Sequence, residues 1–446
     1  MGLYHKLQDR AARSDPLRVG LIGAGKFGSM FLAQIPRLPG IHVVGIADIA
    51  PDAARDNLAN IGWDADQYAA ASLNAAMQSG ATHVGPDAMA LIHHPGIDII
   101  IECTGNPIIA VDHLMATFGA GKHAISATVE ADALCGAALA RAAADAGVIY
   151  SMAFGDQPAL VCDLIDWART CGFEVAAAGR GHKWRPEYRF STPDTIWDHW
   201  GLSPEVAARG RLNPKMFNSF LDGTKPAIES AAIANACGLD VPSGGLLYPP
   251  GTIDDIPTLM RPKTEGGVLE GPGMVEVISS LRPDGTEIDY DIRMGVFVVL
   301  RAANAYQHKC FEEYKVTTDP TGRYMCLYKR WHMIGLELGM SVANVGLRGE
   351  ATGTASGFRG DVVAVAKRDL QPGDMLDGEG GYTVAGQLRQ AAHSVAMRAL
   401  PLGLAGGIKM TRAVRADTIL TYDDVEIDPT LRAVALRRET EASIAS

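Results

Sequence analysis

Short apolar runs punctuate the first third of the chain. Leu17–Ile22 and residues 43–47, 97–102, 121–126 and 147–152 have strand length, and helical spacing follows the first run over residues 29–38. The runs are nearly continuous rather than alternating, which predicts strands buried on both faces. Strand and helix in alternation predict an α/β fold with a doubly wound parallel sheet. Further on, the pattern predicts a helix over 159–170 and a strand over 174–179. A single helix is expected through residues 216–235, its later part small and apolar. Strand patterns over 273–280 and 287–300 flank Pro283-Asp284-Gly285, which predicts a long hairpin with a Pro-Asp-Gly turn. Residues 309–317 are expected to extend that sheet and 324–330 to add a strand. Residues 353–360 read as a Gly-rich linker before a β-rich tail. This gives three segments: a dinucleotide-binding domain at 1–155, a central α+β substrate domain at 156–350, and a β-rich C-terminal domain at 351–446.

The glycines give the first segment its chemistry. The first strand runs into Gly23-Ala24-Gly25-Lys26-Phe27-Gly28, a GxGxxG turn with strand before and helix after. Gly23 permits the tight turn, Gly25 lets backbone approach a pyrophosphate, and Gly28 lets helix pack on strand. Asp48 ends the next strand, where an acid accepts from the adenine-ribose hydroxyls. In such a Rossmann sheet the ligand lies beyond the carboxyl ends of the strands, so Cys103, Thr104, Gly105 and Asn106, with residues 126–130, are expected to edge the nicotinamide. Asp48 points to NAD, since a carboxylate repels a 2′-phosphate. Arg55 or Lys26 would point to NADP by holding one.

Two patterns in the middle segment carry candidate chemistry. Arg180-Gly181-His182-Lys183-Trp184-Arg185 begins the densest basic cluster of the chain, read as starting at a strand end. Lys183, Arg185 and His182 suit a substrate phosphate, or are solvated charges on a loop. Ser219, Asp222, Lys225 and Glu229 lie on the 216–235 helix, with the last three at i, i+3 and i+7 on one face. Such a row is costly to bury unless paired or used. Lys225 would donate a proton to a carbonyl oxygen as hydride arrives, and Asp222 and Glu229 would set its charge; a structural ion-pair ladder is the alternative. His332 follows a strand and either positions a substrate hydroxyl or is a core histidine.

Composition narrows the partners. Of 446 residues, Lys and Arg number 40 against 51 Asp and Glu, a net charge of −11. That balance, without a basic run, disfavours nucleic acid and anionic membranes as partners. No apolar run approaches bilayer-spanning length. Seven scattered cysteines without CxxC spacing, and a polar start lacking a signal-peptide core, fit a reducing cytoplasm.

The strings GAGKFG, ECTGNP, GDQP, GHKWRPEYR, FNSFLDGTKPAIESAAIANA and YKRWHMIGLELG together resemble the 1-deoxy-D-xylulose 5-phosphate reductoisomerase-like enzymes. The first segment is also similar to the homoserine dehydrogenase NAD-binding family. The strand followed by Leu370-Gln371-Pro372-Gly373-Asp374 resembles a SAF-type module, expected to pack on the substrate domain and support a homo-oligomer. The resemblance implies NADPH-dependent conversion of 1-deoxy-D-xylulose 5-phosphate, a small phosphorylated sugar, to 2-C-methyl-D-erythritol 4-phosphate. It also implies a divalent cation, Mg or Mn, and it tips the cofactor expectation from NAD to NADP(H), with Arg55 or Lys26 as the phosphate partner. The close acidic pair that binds metal in the better-known reductoisomerase has no clear match here; Asp222 and Glu229 are the candidates. Two other readings stand beside this one. One is an NAD(P)-dependent dehydrogenase of a homoserine-like, polyol or sugar-acid substrate; the other is a non-catalytic dinucleotide sensor.

Overall fold

A computed structural model describes residues 2–210 and 212–444. The chain forms two compact units, each discontinuous in sequence: residues 1–160 with 333–354, and residues 161–332 with 355–446.

The first unit is built on a six-stranded sheet. Its strands are β1 (Leu17–Ile22), β2 (Ile41–Ala47), β3 (His83–Gly85), β4 (Ile99–Glu102), β5 (His123–Ser126) and β6 (Tyr150–Met152). Their spatial order is β3-β2-β1-β4-β5-β6 with every pair parallel. This is the doubly wound order that the apolar runs predict, and it reverses direction between β1 and β4. Alternate side chains feed separate cores on the two faces. Val19, Leu21, Val43, Ile46, Ile99 and Ile101 enter one, and Val44, Ile97 and Ile100 enter the other. The helix expected at 29–38 starts earlier and ends sooner, at Lys26–Leu32, followed by a short 3₁₀ turn at Ile35–Arg37. Pro36 accounts for the early end: it has no N–H to donate to the Leu32 carbonyl, and its ring would clash with that oxygen in a continuing helix.

The second unit contains β7 (Glu174–His182), β8 (Met274–Ser279), β9 (Val296–Arg301) and β10 (Tyr324–Lys329), ordered β10-β9-β7-β8. The expected long hairpin does not form. β8 runs parallel to β7 on one side, and β9 runs antiparallel to it on the other. The Pro283-Asp284-Gly285 turn exists but pairs only Leu281 with Glu287. Residues 309–317 fall mostly in a helix, Ala305–Tyr314, rather than in the sheet. Asn304 caps that helix by accepting from the Gln307 N–H (3.0 Å), while Gln307 accepts from the Ala303 N–H (2.7 Å). β7 continues three residues past its expected end because Gly179 and Gly181 carry no Cβ. A methyl at either would collide with the backbone of Glu276 or Ile292.

The helix expected at 216–235 is two helices, Pro214–Leu221 and Thr224–Cys237. Gly223 between them has φ +86°, a left-handed conformation that ends the first helix. Pro226 then falls in the first turn of the second, where a missing N–H costs nothing. The second helix packs on β7 and β8, and also on β11 (Gly360–Ala366) and β13 (Val384–Gln390). Those two strands pair antiparallel, as do β12 (Met375–Asp377) and β14 (Gly406–Lys409). Asn235 fixes this packing. Its amide donates to the Gly360 carbonyl (3.0 Å) and accepts from the N–H groups of Arg359 (2.7 Å) and Gly360 (2.9 Å). Among the described residues, no helix is long and apolar enough to cross a membrane.

Candidate functional site

In the first unit the three glycines of the turn occupy three different environments. Gly23 has φ +94°, and a Cβ there would meet the Cys103 carbonyl oxygen at 2.8 Å. Gly25 is exposed with open space where a Cβ would point. Gly28 is buried, and a Cβ would collide with the Gly23 carbonyl. This is the division of labour a pyrophosphate-binding turn requires, so the residues present fit a dinucleotide. Lys26 is exposed at the first helical position, while Phe27 packs on the core below. Asp48 accepts from the N–H of Ala24 (2.8 Å) and the N–H of Ala50 (2.9 Å), which ties the end of β2 to the glycine turn. Arg55 is engaged with Asp52 (2.9 Å) and the Val84 carbonyl (2.7 Å).

Beyond β4 the chain is held by Glu102, which sequence reasoning did not single out. Its carboxylate accepts from the N–H (3.1 Å) and the hydroxyl of Thr104, and from the Thr128 hydroxyl. Thr128 in turn accepts from the Gly105 N–H (3.0 Å). Burial, with the Glu102 charge beside it, pushes the Cys103 thiol well above its ordinary value, so Cys103 is an uncharged wall. Deeper in this unit, burial raises Asp132 to about 7, an effect the Tyr150 hydroxyl partly offsets.

In the second unit the row of Asp222, Lys225 and Glu229 does not share one helical face, because Gly223 breaks the helix between Asp222 and Lys225. Each carboxylate has its own buried cation. Asp222 accepts from Lys367 (2.6 Å) and from the Thr224 N–H (2.9 Å), and Glu229 pairs with Arg180 of β7. Lys225 stands half-buried in the first turn of the Thr224–Cys237 helix. Ser219 is buried and donates to the Met216 carbonyl (2.8 Å). The expected metal ligands Asp222 and Glu229 are therefore committed to Lys367 and Arg180 and do not fit a cation. Among the described residues, no group of three His, Cys, Asp or Glu is placed to hold a metal ion.

The basic cluster divides at the end of β7. Arg180 and His182 point into the unit. His182 donates from Nε2 to the Phe220 carbonyl (2.6 Å), and its Nδ1 lies 3.4 Å from Arg180. Burial and the Arg180 charge hold its pKa well below the usual range, so it stays neutral. Lys183 lies 3.7 Å from Glu287, and Arg185 pairs with Glu187. Both carboxylates are more than 45 % exposed (Glu287 59 %, Glu187 49 %), so each of these ion pairs is worth little. Trp184 stacks on Tyr248 (ring centroids 4.1 Å apart, 18° between planes). Its buried Nε1 has no hydrogen-bond partner and faces Gly223, where a Cβ would lie 3.1 Å away. Trp184 and Tyr248 were not legible as a pair, because 63 residues of irregular spacing separate them. His332 donates from Nδ1 to the Met294 carbonyl (2.7 Å); burial, then the Arg180 charge, lowers its pKa to about 4. It is therefore a neutral acceptor at pH 7, not an acid.

A protein family described as "Oxidoreductase DRL, catalytic domain" matches residues 155–338. No curated protein matches the chain. Solved structures similar to it include a homoserine dehydrogenase from Thiobacillus denitrificans, at 20% identity and TM-score 0.35, covering 50% of this chain and 49% of that one. An NAD binding oxidoreductase from Klebsiella pneumoniae follows at 21% identity and TM-score 0.28, covering 40% and 47%. A scyllo-inositol dehydrogenase from Lactobacillus casei has 14% identity and TM-score 0.26, covering 38% and 46%. The chain spans about half the length of each of these three structures. By the family match, residues 155–338 correspond to an oxidoreductase catalytic domain, and a parallel sheet with a dinucleotide turn precedes them.

Proposed function

We propose that the protein is a nicotinamide-dependent oxidoreductase of a small polar carbonyl or alcohol substrate. The observation that carries this reading is the oxidoreductase catalytic-domain match at 155–338, directly after a β3-β2-β1-β4-β5-β6 sheet whose glycine turn fits a pyrophosphate. The bound cofactor supplies or accepts the hydride. The first unit holds it through the turn at Gly23, Gly25 and Gly28, with Thr104 and Gly105 fixed by Glu102 and Thr128 at the strand ends. We favour NAD over NADP, because Asp48 ends β2 and Arg55 is already held by Asp52 and Val84.

In the second unit Lys225 is the proposed proton donor to the substrate oxygen. The pairs Asp222–Lys367 and Arg180–Glu229 position its helix. Lys183 and Arg185, opposed only by exposed carboxylates, are the proposed anion ligands. His332 accepts from a substrate hydroxyl. The finer reading, reduction and isomerisation of 1-deoxy-D-xylulose 5-phosphate, is supported by the cationic loop and by the resemblance of the motifs. It carries with it an expectation of NADPH and a metal ion, for which Asp222 and Glu229 are poorly disposed. Dehydrogenation of a homoserine-like or polyol substrate needs neither.

The test is a panel of candidate substrates monitored at 340 nm with each cofactor, alongside complementation of a bacterium lacking the better-known reductoisomerase. Turnover of a polyol or homoserine without complementation rejects the reductoisomerase reading. Binding of dinucleotide with no turnover of any candidate favours a sensor. Lys225→Met should abolish turnover while cofactor affinity stays within about twofold; retained activity removes Lys225 from the chemistry.

A further inference from the structure

Glu102 is the last residue of β4, the strand flanking the point where the sheet order reverses. Its register partners are Ile22, immediately before the glycine turn, and Ser126, at the end of β5. It is fully buried, and so is Thr128. Among the described residues, no Lys or Arg pairs with it. Its titratable neighbours are the Cys103 thiol and His113, whose Nδ1 lies 3.7 Å from Oε1 and makes no hydrogen bond. The carboxylate accepts from the Thr104 N–H and hydroxyl and from the Thr128 hydroxyl, at the strand ends where a doubly wound sheet binds its ligand.

We infer that Glu102 is a positioning residue that also sets redox preference: its buried charge makes the first unit bind the oxidised, cationic nicotinamide more tightly than the reduced, neutral one. Three donors reach its two oxygens, the Thr104 N–H and hydroxyl on Oε1 and the Thr128 hydroxyl on Oε2, so the group at this position accepts on both sides, as a carboxylate does and an amide does not. A buried charge without a counter-cation acts through a low dielectric and is weakly screened. Only the oxidised ring carries a positive charge to meet it. By linkage, a site that binds the oxidised form more tightly lowers the reduction potential of the bound cofactor. The enzyme is thereby biased toward giving hydride to its substrate. This rests on the dinucleotide reading above.

The experiment is titration of the full chain with oxidised and reduced NAD and NADP, followed by protein fluorescence, for the wild type, Glu102→Gln and His113→Lys. Glu102→Gln removes the charge and keeps the size, but gives up one of the two accepting oxygens, so a loss common to both cofactor forms reports the loop and only the difference between the forms reports the charge. His113→Lys leaves Glu102 and its hydrogen bonds intact and adds a cation beside them, so it serves if the first variant fails to fold. Each variant should weaken the oxidised form about tenfold and the reduced form by less than about twofold. An equal change in both forms, or no change, overturns the inference and leaves Glu102 as a loop brace. Absence of binding in the wild type overturns the dinucleotide reading itself.

Discussion

Lys367→Met is the sharpest test of how the second unit is held together. Lys367 and Asp222 have side chains 2 % and 0 % exposed, so neither charge reaches solvent. The ammonium has three donors and all three are used: on Asp222 (2.6 Å), the Ser191 carbonyl (2.8 Å) and the Gly381 carbonyl (2.8 Å). Methionine nearly matches the stem volume but leaves Oδ2 of a buried carboxylate and the Gly381 carbonyl without the Lys367 donor, while the Ser191 carbonyl keeps the Asn218 amide (3.0 Å). Breaking a buried pair from one side costs about 3–5 kcal/mol, because the surviving charge stays desolvated. Urea unfolding should show a loss of that size. Adding Asp222→Asn to Lys367→Met should then recover part of it, since the amide is neutral and can still accept from the Thr224 N–H. A loss below about 1 kcal/mol, or a double variant no better than the single one, would mean the pair is hydrated, and the reasoning would fail.

Further expectations follow from the same geometry. Gly28→Ala drives a methyl into the Gly23 carbonyl, so both stability and cofactor affinity should drop. Gly25→Ala meets open space in the free protein; it should leave stability within about 0.5 kcal/mol and still weaken cofactor binding, and titration separates the two. The raised pKa of Asp132 means the folded state holds a proton that the unfolded state releases between its ordinary 3.8 and about 7. Its contribution to stability is therefore lost as pH rises through that window, and Asp132→Asn should flatten the fall. His332 has the opposite sign. Its pKa drops from 6.5 to about 4, so its contribution is present above 6.5 and is lost as pH falls toward 4; His332→Gln should remove that loss.

The dinucleotide sheet was legible because its signals are local. Continuous apolar runs fix both faces of each strand, and the glycines of one turn specify their own backbone. The second unit was less so, since its key contacts are long-range. Nothing near residue 229 marks Arg180 as the partner of Glu229, or residue 367 as the partner of Asp222. The i, i+3, i+7 row was periodic in sequence yet false in space, because one left-handed glycine resets the helical phase. The strands at 273–280 and 287–300 looked like a hairpin because the turn chemistry between them is real. β7 takes the place between them by pairing with both, and its glycines allow the close approach. Glu102 went unmarked because a lone acid ending an apolar run looks like a strand boundary.

The return of residues 333–354 to the first unit bears on how the chain folds as it is made. Leu338, Val342 and Val345 are buried in the same core as Leu17, Phe31 and Ile99, and the helix Gly339–Arg348 packs on the helix Leu3–Ala12. At ribosomal speed, the roughly 170 residues intervening between the two parts of this unit take about ten to thirty seconds to synthesise. For that interval one apolar face of the nascent sheet, covered by Leu7, Phe31 and Leu58, lacks the side chains of Leu338, Val342 and Val345. A nascent chain arrested near residue 160 should therefore stay open and bind holdase chaperones, and one that has released residue 354 should let go of them.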